Sequence, residues 1–384
     1  MGPSYVAGVT SSENTNHRVR LHRRGVAGSA LVAVFGLAAA ACGSSTPTAS
    51  TSTTAQGSTS TTAAVPCGSG TITGAGSTFV ATILQQWTKD YEAKCPGATI
   101  NYQAVGSGAG ITQFTSGTVD FGASDAVLSP SQSQALASKG TILQIPWAAG
   151  GVAIEYHVSG VSDLKLDAAT IAGIFAGKIA KWNDPAIKAL NSGATLPAEA
   201  IQTFHRSDSS GTTNIFTSYL AAAAPSVWTY GVNKTWPAPG GQGAKGSDGV
   251  TAAVGQTEGG IGYAEVSYAK GANLPMVSVK NGAGSFVQPT SDAVTAALAE
   301  ATVPADLTVK PNFTPTSASA YPIASTTWIM VAQKQTDAAK ATLLKDFITY
   351  AVTAGQASAN SLYYAPLPAS LAAQDKTAAT QIGM

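Results

Sequence analysis

Apolar positions recur with two different periods along this chain of 384 residues, and the exchange between them outlines its architecture. Val80, Ile83, Leu84, Trp87 and Tyr91 form one stripe at helical spacing, which predicts a helix over Thr78 to Ala93 with Ser77 or Thr78 as its cap. "GTITGAG" before it reads as a strand, and "TINYQAVG" after it alternates as one. "GAGITQFTSG" is a glycine-rich turn entering a short helix, and "VDFGASD" is a buried strand ending at Asp125. Strand, helix, strand, helix, strand predicts an α/β fold with a largely parallel sheet. The same exchange continues through the strand "GGVAIEYHV", the helix "DAATIAGIFAG", and the strand "IQTFHRSD" leading into the helix "TNIFTSYLAAA". "GGIGYAEVSYA" and "YPIASTTWIMVA" read as further strands, and "AAKATLLKDFITYAV" as the last helix.

The first 66 residues break this pattern. Arg18, Arg20, Arg23 and Arg24 flank the apolar run "GVAGSALVAVFGLAAAAC", which is too short and too rich in small residues for a spanning helix and reads as a signal peptide. Its end, "AAAC" followed by Gly43, resembles a bacterial lipoprotein signal with Cys42 as the lipidated residue. Ala39 stands where Leu is usual, and plain secretion is the alternative. Residues 43–66 hold fourteen Ser or Thr among 24, too little apolar surface to offset chain entropy, so they are expected to form a disordered tether.

Hydrophobic residues make up 44% and charged residues 11% of the chain. Beyond residue 42 there are 17 Lys and Arg against 19 Asp and Glu, a net charge of −2, which speaks against a nucleic-acid partner. An anion ligand would have to be held by local donors. Cys67 precedes the first strand and Cys95 follows the first helix; a strand and a returning helix bring those ends together, so the two pair as a disulfide or remain two buried thiols. No C-x-x-C occurs, the four histidines are scattered, and no metal site is expected.

Three segments, "GAGSTF" (74–79), "GSGAGIT" (106–112) and "SSGTTN" (209–214), each put Gly and Ser/Thr just before an expected helix. Free N–H groups of a first helical turn, with hydroxyls beside them, can hold an anion, although one such segment alone is only a cap. The third follows Arg206, the only arginine after residue 42, and Asp125 ends a strand. Together they suggest a site for a tetrahedral oxyanion held without a metal. The lysines are read as keeping the surface soluble. "GGQGAKGSDG" (240–249) lacks the Walker A spacing and reads as a loop, with Lys245 outside the site.

Taken in order, "GAGSTF", "NYQAVGSGAG…VDFGASDAVLS", "GKIAKWNDPAI", "HRSDSSGTTNIFTSYL", "GGQGAKGSDGV", "GGIGYAEVSYA" and "YPIASTTWIMV" resemble the phosphate-binding lipoprotein of the phosphate ABC importer, the PstS family, over about residues 70–384. The resemblance implies an α/β, two-lobed periplasmic-binding-protein fold of type II with the ligand cleft between the lobes. One lobe would be 68–148 plus 323–384 and the other 149–322, after a signal peptide (1–42) and a tether (43–66).

It also implies phosphate ligands at Thr78, Phe79 (through its N–H), Ser107, Asp125, Arg206, Ser210, Gly211 and Thr212, with Asp208 holding Arg206 in place. A guanidinium gives two parallel N–H bonds that a lysine cannot copy. Asp125 would accept the proton that phosphate carries and sulfate lacks, a difference that supports discrimination of ~10⁴-fold or more. Ser77, Ser207 and Ser209 stand where relatives often have Ala or Gly, outside the ligand set.

The implied protein is a monomeric extracytoplasmic solute-binding protein, held at the membrane by a lipid on Cys42, that delivers inorganic phosphate to the membrane permease of an ABC importer. It would need no cofactor and catalyse no reaction. The alternatives are a binding protein for arsenate, sulfate or molybdate, or a phosphatase on the same fold. His205 with Asp208 and nearby serines could hint at a hydrolase, but "GxSxG" is missing and neighbours on one strand face opposite ways.

Overall fold

A computed structural model describes residues 65–384; the expected signal peptide, Cys42 and nearly all of the expected tether lie outside the described residues. The chain opens with β1 (Gly70–Gly76), α1 (Ala81–Lys94), β2 (Ala98–Ala104), α2 (Ser107–Ser116), β3 (Phe121–Ser124) and α3 (Pro130–Ala135). The 16-residue β4 (Ile142–His157) follows. Then come β5 (Lys165–Leu166), α4 (Ala168–Phe175), α5 (Pro185–Leu190), β6 (Gln202–Arg206), α6 (Gly211–Ala223), β7 (Gln242–Ala244), α7 (Gly246–Gln256), β8 (Gly260–Glu265), α8 (Val266–Gly271), β9 (Ser278–Lys280), β10 (Phe286–Val287) and α9 (Ser291–Leu298). The chain closes with β11 (Ala324–Ala332), α10 (Ala338–Val352) and α11 (Ala369–Ala379).

Eight strands share one sheet in the order β2-β1-β3-β11-β4-β8-β6-β7. Its two wings are parallel, β2-β1-β3 on one side and β8-β6-β7 on the other. The centre differs from the largely parallel sheet expected. β11 runs antiparallel to both β3 and β4, and β4 runs antiparallel to β8. A single strand carries a side-chain period but no direction, so this reversal is a property of the connections.

β4 joins the wings. Ile142 to Gly151 pair with β11, and Val152 to His157 pair with β8. Its residues from Ile145 to Tyr156 are all buried. Pro146 is accommodated in this central strand because the register shifts opposite Thr327 and Trp328, a bulge that spares the missing N–H. At the exchange of partners, a side chain on Gly150 would press on Phe79 at 3.0 Å.

Each wing has its own aromatic packing. Trp87, Trp147, Phe121, Tyr91 and Phe347 meet around the first. Phe175, Phe216, Trp236 and Tyr263 meet around the second. Cys67 and Cys95 form the disulfide, with Cα atoms 5.3 Å apart, at the N-terminal end of β1.

Three expected elements change. α1 begins at Ala81 with Val80 at its cap position and no side-chain cap, because Ser77 and Thr78 are spent elsewhere. The expected strand "GGIGYAEVSYA" stops at Glu265, whose carboxylate accepts from Ser267 N–H and starts α8. A helix, α11, follows the one expected to be last. Among the described residues no helix is long and apolar enough to cross a membrane.

Candidate functional site

The parallel strands of both wings deliver their C-terminal ends to one place, the crevice where ligands of open α/β sheets sit. β1 leads to Ser77, Thr78 and Phe79; β2 leads to Gly106 and Ser107 at the head of α2; β3 leads to Asp125. From the other wing β6 ends at Arg206, and the following turn enters α6 with Ser210 as its cap, its hydroxyl accepting from Thr213 N–H at 3.2 Å. Ser77, Thr78, Phe79, Ser107, Asp125, Arg206, Ser210, Gly211 and Thr212 are all buried.

Arg206 is 1% exposed, and Asp208 grips one edge of its guanidinium: Nε donates to Oδ1 at 2.7 Å and Nη2 to Oδ2 at 2.5 Å. Gly246 N–H also donates to Asp208, at 3.2 Å. The guanidinium beside it holds the Asp208 carboxyl below the usual carboxylate range, against its partial burial. The far edge of the fork is turned toward hydroxyls. Nη1 on that edge donates to Thr78 Oγ1 at 2.9 Å and Ser247 Oγ at 3.3 Å, and those hydroxyls are 2.8 Å apart. Gly106 lies over the Arg206–Asp208 pair with φ +91°; any β-carbon there would meet Asp208 Oδ2 at 2.2 Å.

Across the crevice, Ser107 Oγ accepts from Gly211 N–H at 3.1 Å and lies 3.5 Å from Asp125 Oδ2. Gly211 is glycine because a β-carbon would fall 2.5 Å from that carboxylate oxygen. Asp125 Oδ1 and Thr212 Oγ1 are buried with no hydrogen-bond partner, which leaves both able to serve a ligand. Burial raises the Asp125 pKa, while the Ser77 and Thr327 hydroxyls and the charges of Arg206 and Lys234 favour its ionised form. Phe79 N–H donates to Ser77 Oγ at 2.9 Å, beside the crevice.

The structure thus brings Thr78 to Arg206, and Ser107 to Gly211 and Asp125, from both wings, and buries Phe79, Ser210 and Thr212 beside them in the chain. The wings are also tied directly: Gly108 N–H donates to Ser209 O at 2.9 Å, Tyr268 Oη to Thr78 O at 2.7 Å, and Ser267 Oγ to Thr82 Oγ1 at 2.9 Å.

Sequence reasoning missed three members. Ser247 belongs to the stretch read as a loop, which is in fact β7 running into α7 with Ser247 buried in its first turn. Its signal was present: "KGSDG" repeats the pattern of Gly and Ser before a helix. Thr327 comes from β11 and had no local signal. Lys234, one of the lysines assigned to surface solubility, is half-buried and lines the same cleft as Asp125. Lys245 is exposed.

His205 does not pair with Asp208. His205 stacks on Trp236 at 5.0 Å, its Nδ1 lies 3.0 Å from Arg206 O, and burial lowers its pKa. Among the described residues no group of His, Cys, Asp and Glu has the makings of a metal site.

The PBP superfamily domain profile matches residues 39–354. Phosphate-binding protein PstS 3 of Mycobacterium leprae is 38% identical over 327 residues, covering 83% of this chain and 89% of that protein. The chain belongs to the PstS family. Phosphate-binding protein PstS of Xylella fastidiosa, another member, is also 38% identical, over 79% of this chain and 83% of its own length. Among solved structures, the phosphate-bound periplasmic phosphate-binding protein PfluDING superposes with a TM-score of 0.68 at 26% identity, covering 80% of this chain and 93% of that one. The PstS-family architecture is thus an α/β, two-lobed one with the crevice between its lobes.

Proposed function

We propose that this protein binds inorganic phosphate in the crevice and delivers it to the membrane subunits of an ABC importer. One observation carries the reading: a buried guanidinium fork aligned by Asp208 stands in one cluster with a buried carboxylate and with hydroxyl and amide donors from both wings. Arg206 binds two phosphate oxygens through the far edge of its fork, in place of the Thr78 and Ser247 hydroxyls that Nη1 meets. Thr78, Ser107, Ser210 and Thr212 contribute hydroxyls, and Phe79 and Gly211 contribute N–H groups. Asp125 accepts the phosphate proton. Ser247 joins this set on the strength of its contacts with Thr78 and Arg206.

The lobes are 68–148 with 323–384, and 149–322; β4 exchanges partners between Gly151 and Val152, within a few residues of that boundary. The protein works as an extracytoplasmic monomer, lipidated on Cys42 and free of catalytic activity. Support for the ligand comes from the relatives, which are named phosphate-binding proteins. Calorimetric titration with phosphate, sulfate and molybdate tests the reading. Phosphate is expected to bind tightly and the other two at least roughly 10⁴-fold more weakly; equal affinity for sulfate would overturn it.

A further inference from the structure

The crevice has an awkward charge balance for its ligand. Arg206 is already matched by Asp208, so Asp125 leaves the buried cluster net negative toward a phosphate dianion. The protein offers no help from a distance, since beyond residue 42 it carries a net charge of −2. The missing charge is on Lys234. It lies on the segment between α6 and β7, and its carbonyl accepts from the N–H of Ser210, the α6 cap, at 2.8 Å. The neighbouring Asn233 is clamped on α6, where its N–H donates to Thr217 Oγ1 and its carbonyl accepts from the same hydroxyl, each at 3.1 Å. The lysine is thus held in position relative to the anion donors.

Lys234 lines a cleft of about 440 Å³ together with Asp125, Gln132, Asn214, Ser218 and Trp328. Among the described residues no carboxylate lies within 4.0 Å of its Nζ. Its contact is across the cleft, to Gln132 Oε1 on α3 of the other wing, at 3.4 Å. Gln132 is itself fixed, because that oxygen also accepts from Ser129 N–H at 3.0 Å in a capping box. Burial lowers the lysine pKa, while the negative charge of Asp125 opposes the loss of its proton. A half-buried cation without a counter-ion is costly unless its charge is used.

We propose that Lys234 is the gate of the phosphate crevice: its ammonium balances Asp125, draws the phosphate dianion in through the cleft beside it, and secures the closed arrangement by reaching Gln132 on the opposite wing. This inference rests on the phosphate reading above. A single cation inside a low-dielectric cleft acts mainly on encounter, and its effect is screened by salt. A contact that joins the two wings acts on release.

Stopped-flow binding of inorganic phosphate to the full protein separates the two roles. Lys234→Met is expected to slow association roughly tenfold at low ionic strength, with the gap shrinking at high salt. It is also expected to speed dissociation, as is Gln132→Leu. Lys234→Arg should stay near wild type in association, and Lys188→Met, at an exposed lysine on α5, should change nothing. Rates for Lys234→Met within twofold of wild type at all salt concentrations would overturn the gate, as would an equal loss in Lys188→Met. Wild-type protein that takes up no phosphate would overturn the functional reading itself, a result the variants alone cannot produce.

Discussion

A proton on the Asp125 carboxyl would relax the selectivity proposed for the site. In the proposed phosphate site, ionised Asp125 would accept from a protonated oxyanion and repel sulfate; protonated, it would donate to either. Burial pushes its pKa above the usual carboxylate range, while Arg206, Lys234 and nearby hydroxyls restrain the shift. On that proposal sulfate would need Asp125 protonated, so above that pKa its affinity should fall about tenfold for each unit of rising pH. Phosphate brings its own proton and is not subject to that penalty. Calorimetry from pH 5 upward checks this. A sulfate affinity flat with pH in wild-type protein would refute it, and Asp125→Asn is expected to bind sulfate with no such slope and with phosphate preference narrowed. Asp125 and Arg206 were legible in the sequence because one ends an apolar strand and the other is a lone guanidinium among hydroxyls and glycines. Thr327 was not, since only the pairing of β11 with β3 brings it beside Asp125.

At the scale of elements, α11 shows how a helix escapes a sequence reading. It is rich in alanine, with Leu371, Asp375, Ala378 and Ala379 as its buried positions, so an apolar stripe barely exists and its one charged buried residue argues against burial. Both carboxylate oxygens of Asp375 lack a partner, and burial lifts its pKa to about 8. The folded state therefore keeps the Asp375 proton over a range where the unfolded chain has released it. This contribution to stability is fully present below pH 4 and is lost as pH rises toward 8. Glu155 and Glu265, also buried and also raised to about 8, add to the same slope. Asp375→Asn should raise the melting temperature at pH 8, by on the order of 2 kcal/mol of stability, and leave it near wild type at pH 4.5. An equal change at both pH values would contradict this assignment. α1 carries the complementary lesson: its stripe of five apolar residues was plain, but its start was read three residues early, because Thr78 faces Arg206 instead of capping the helix.

For the whole molecule the decisive feature is that donors from both wings meet. Arg206 with Thr78, Gly211 with Ser107 and Tyr268 with Thr78 tie one wing to the other, and if the proposed lobes hinge, these contacts would belong to the closed form. A phosphate ion with ligands on both sides would stabilise that form over an open one by its differential contacts. Small-angle scattering is expected to record a smaller radius of gyration with phosphate than without it. An unchanged radius would leave closure without support. The point where β4 changes partners, at Gly150 and Gly151, could be seen in the sequence only as two glycines opening a strand. That they mark where β4 exchanges one wing for the other depends on β11, whose Ser325 and Ala324 pair with Gly150 and Gly151 from far along the chain.

Local pattern alone determined the exchange of helices and strands, the pairing of Cys67 with Cys95 as one of two options, and the residue types of an oxyanion site, because each rests on neighbours in the chain or on side-chain chemistry. The antiparallel centre of the sheet, the placing of Ser247 on Arg206 and the position of Lys234 across from Gln132 were decided by tertiary structure. Strand direction, burial and inter-wing distance come from how distant segments pack, and no stretch of sequence carries them by itself.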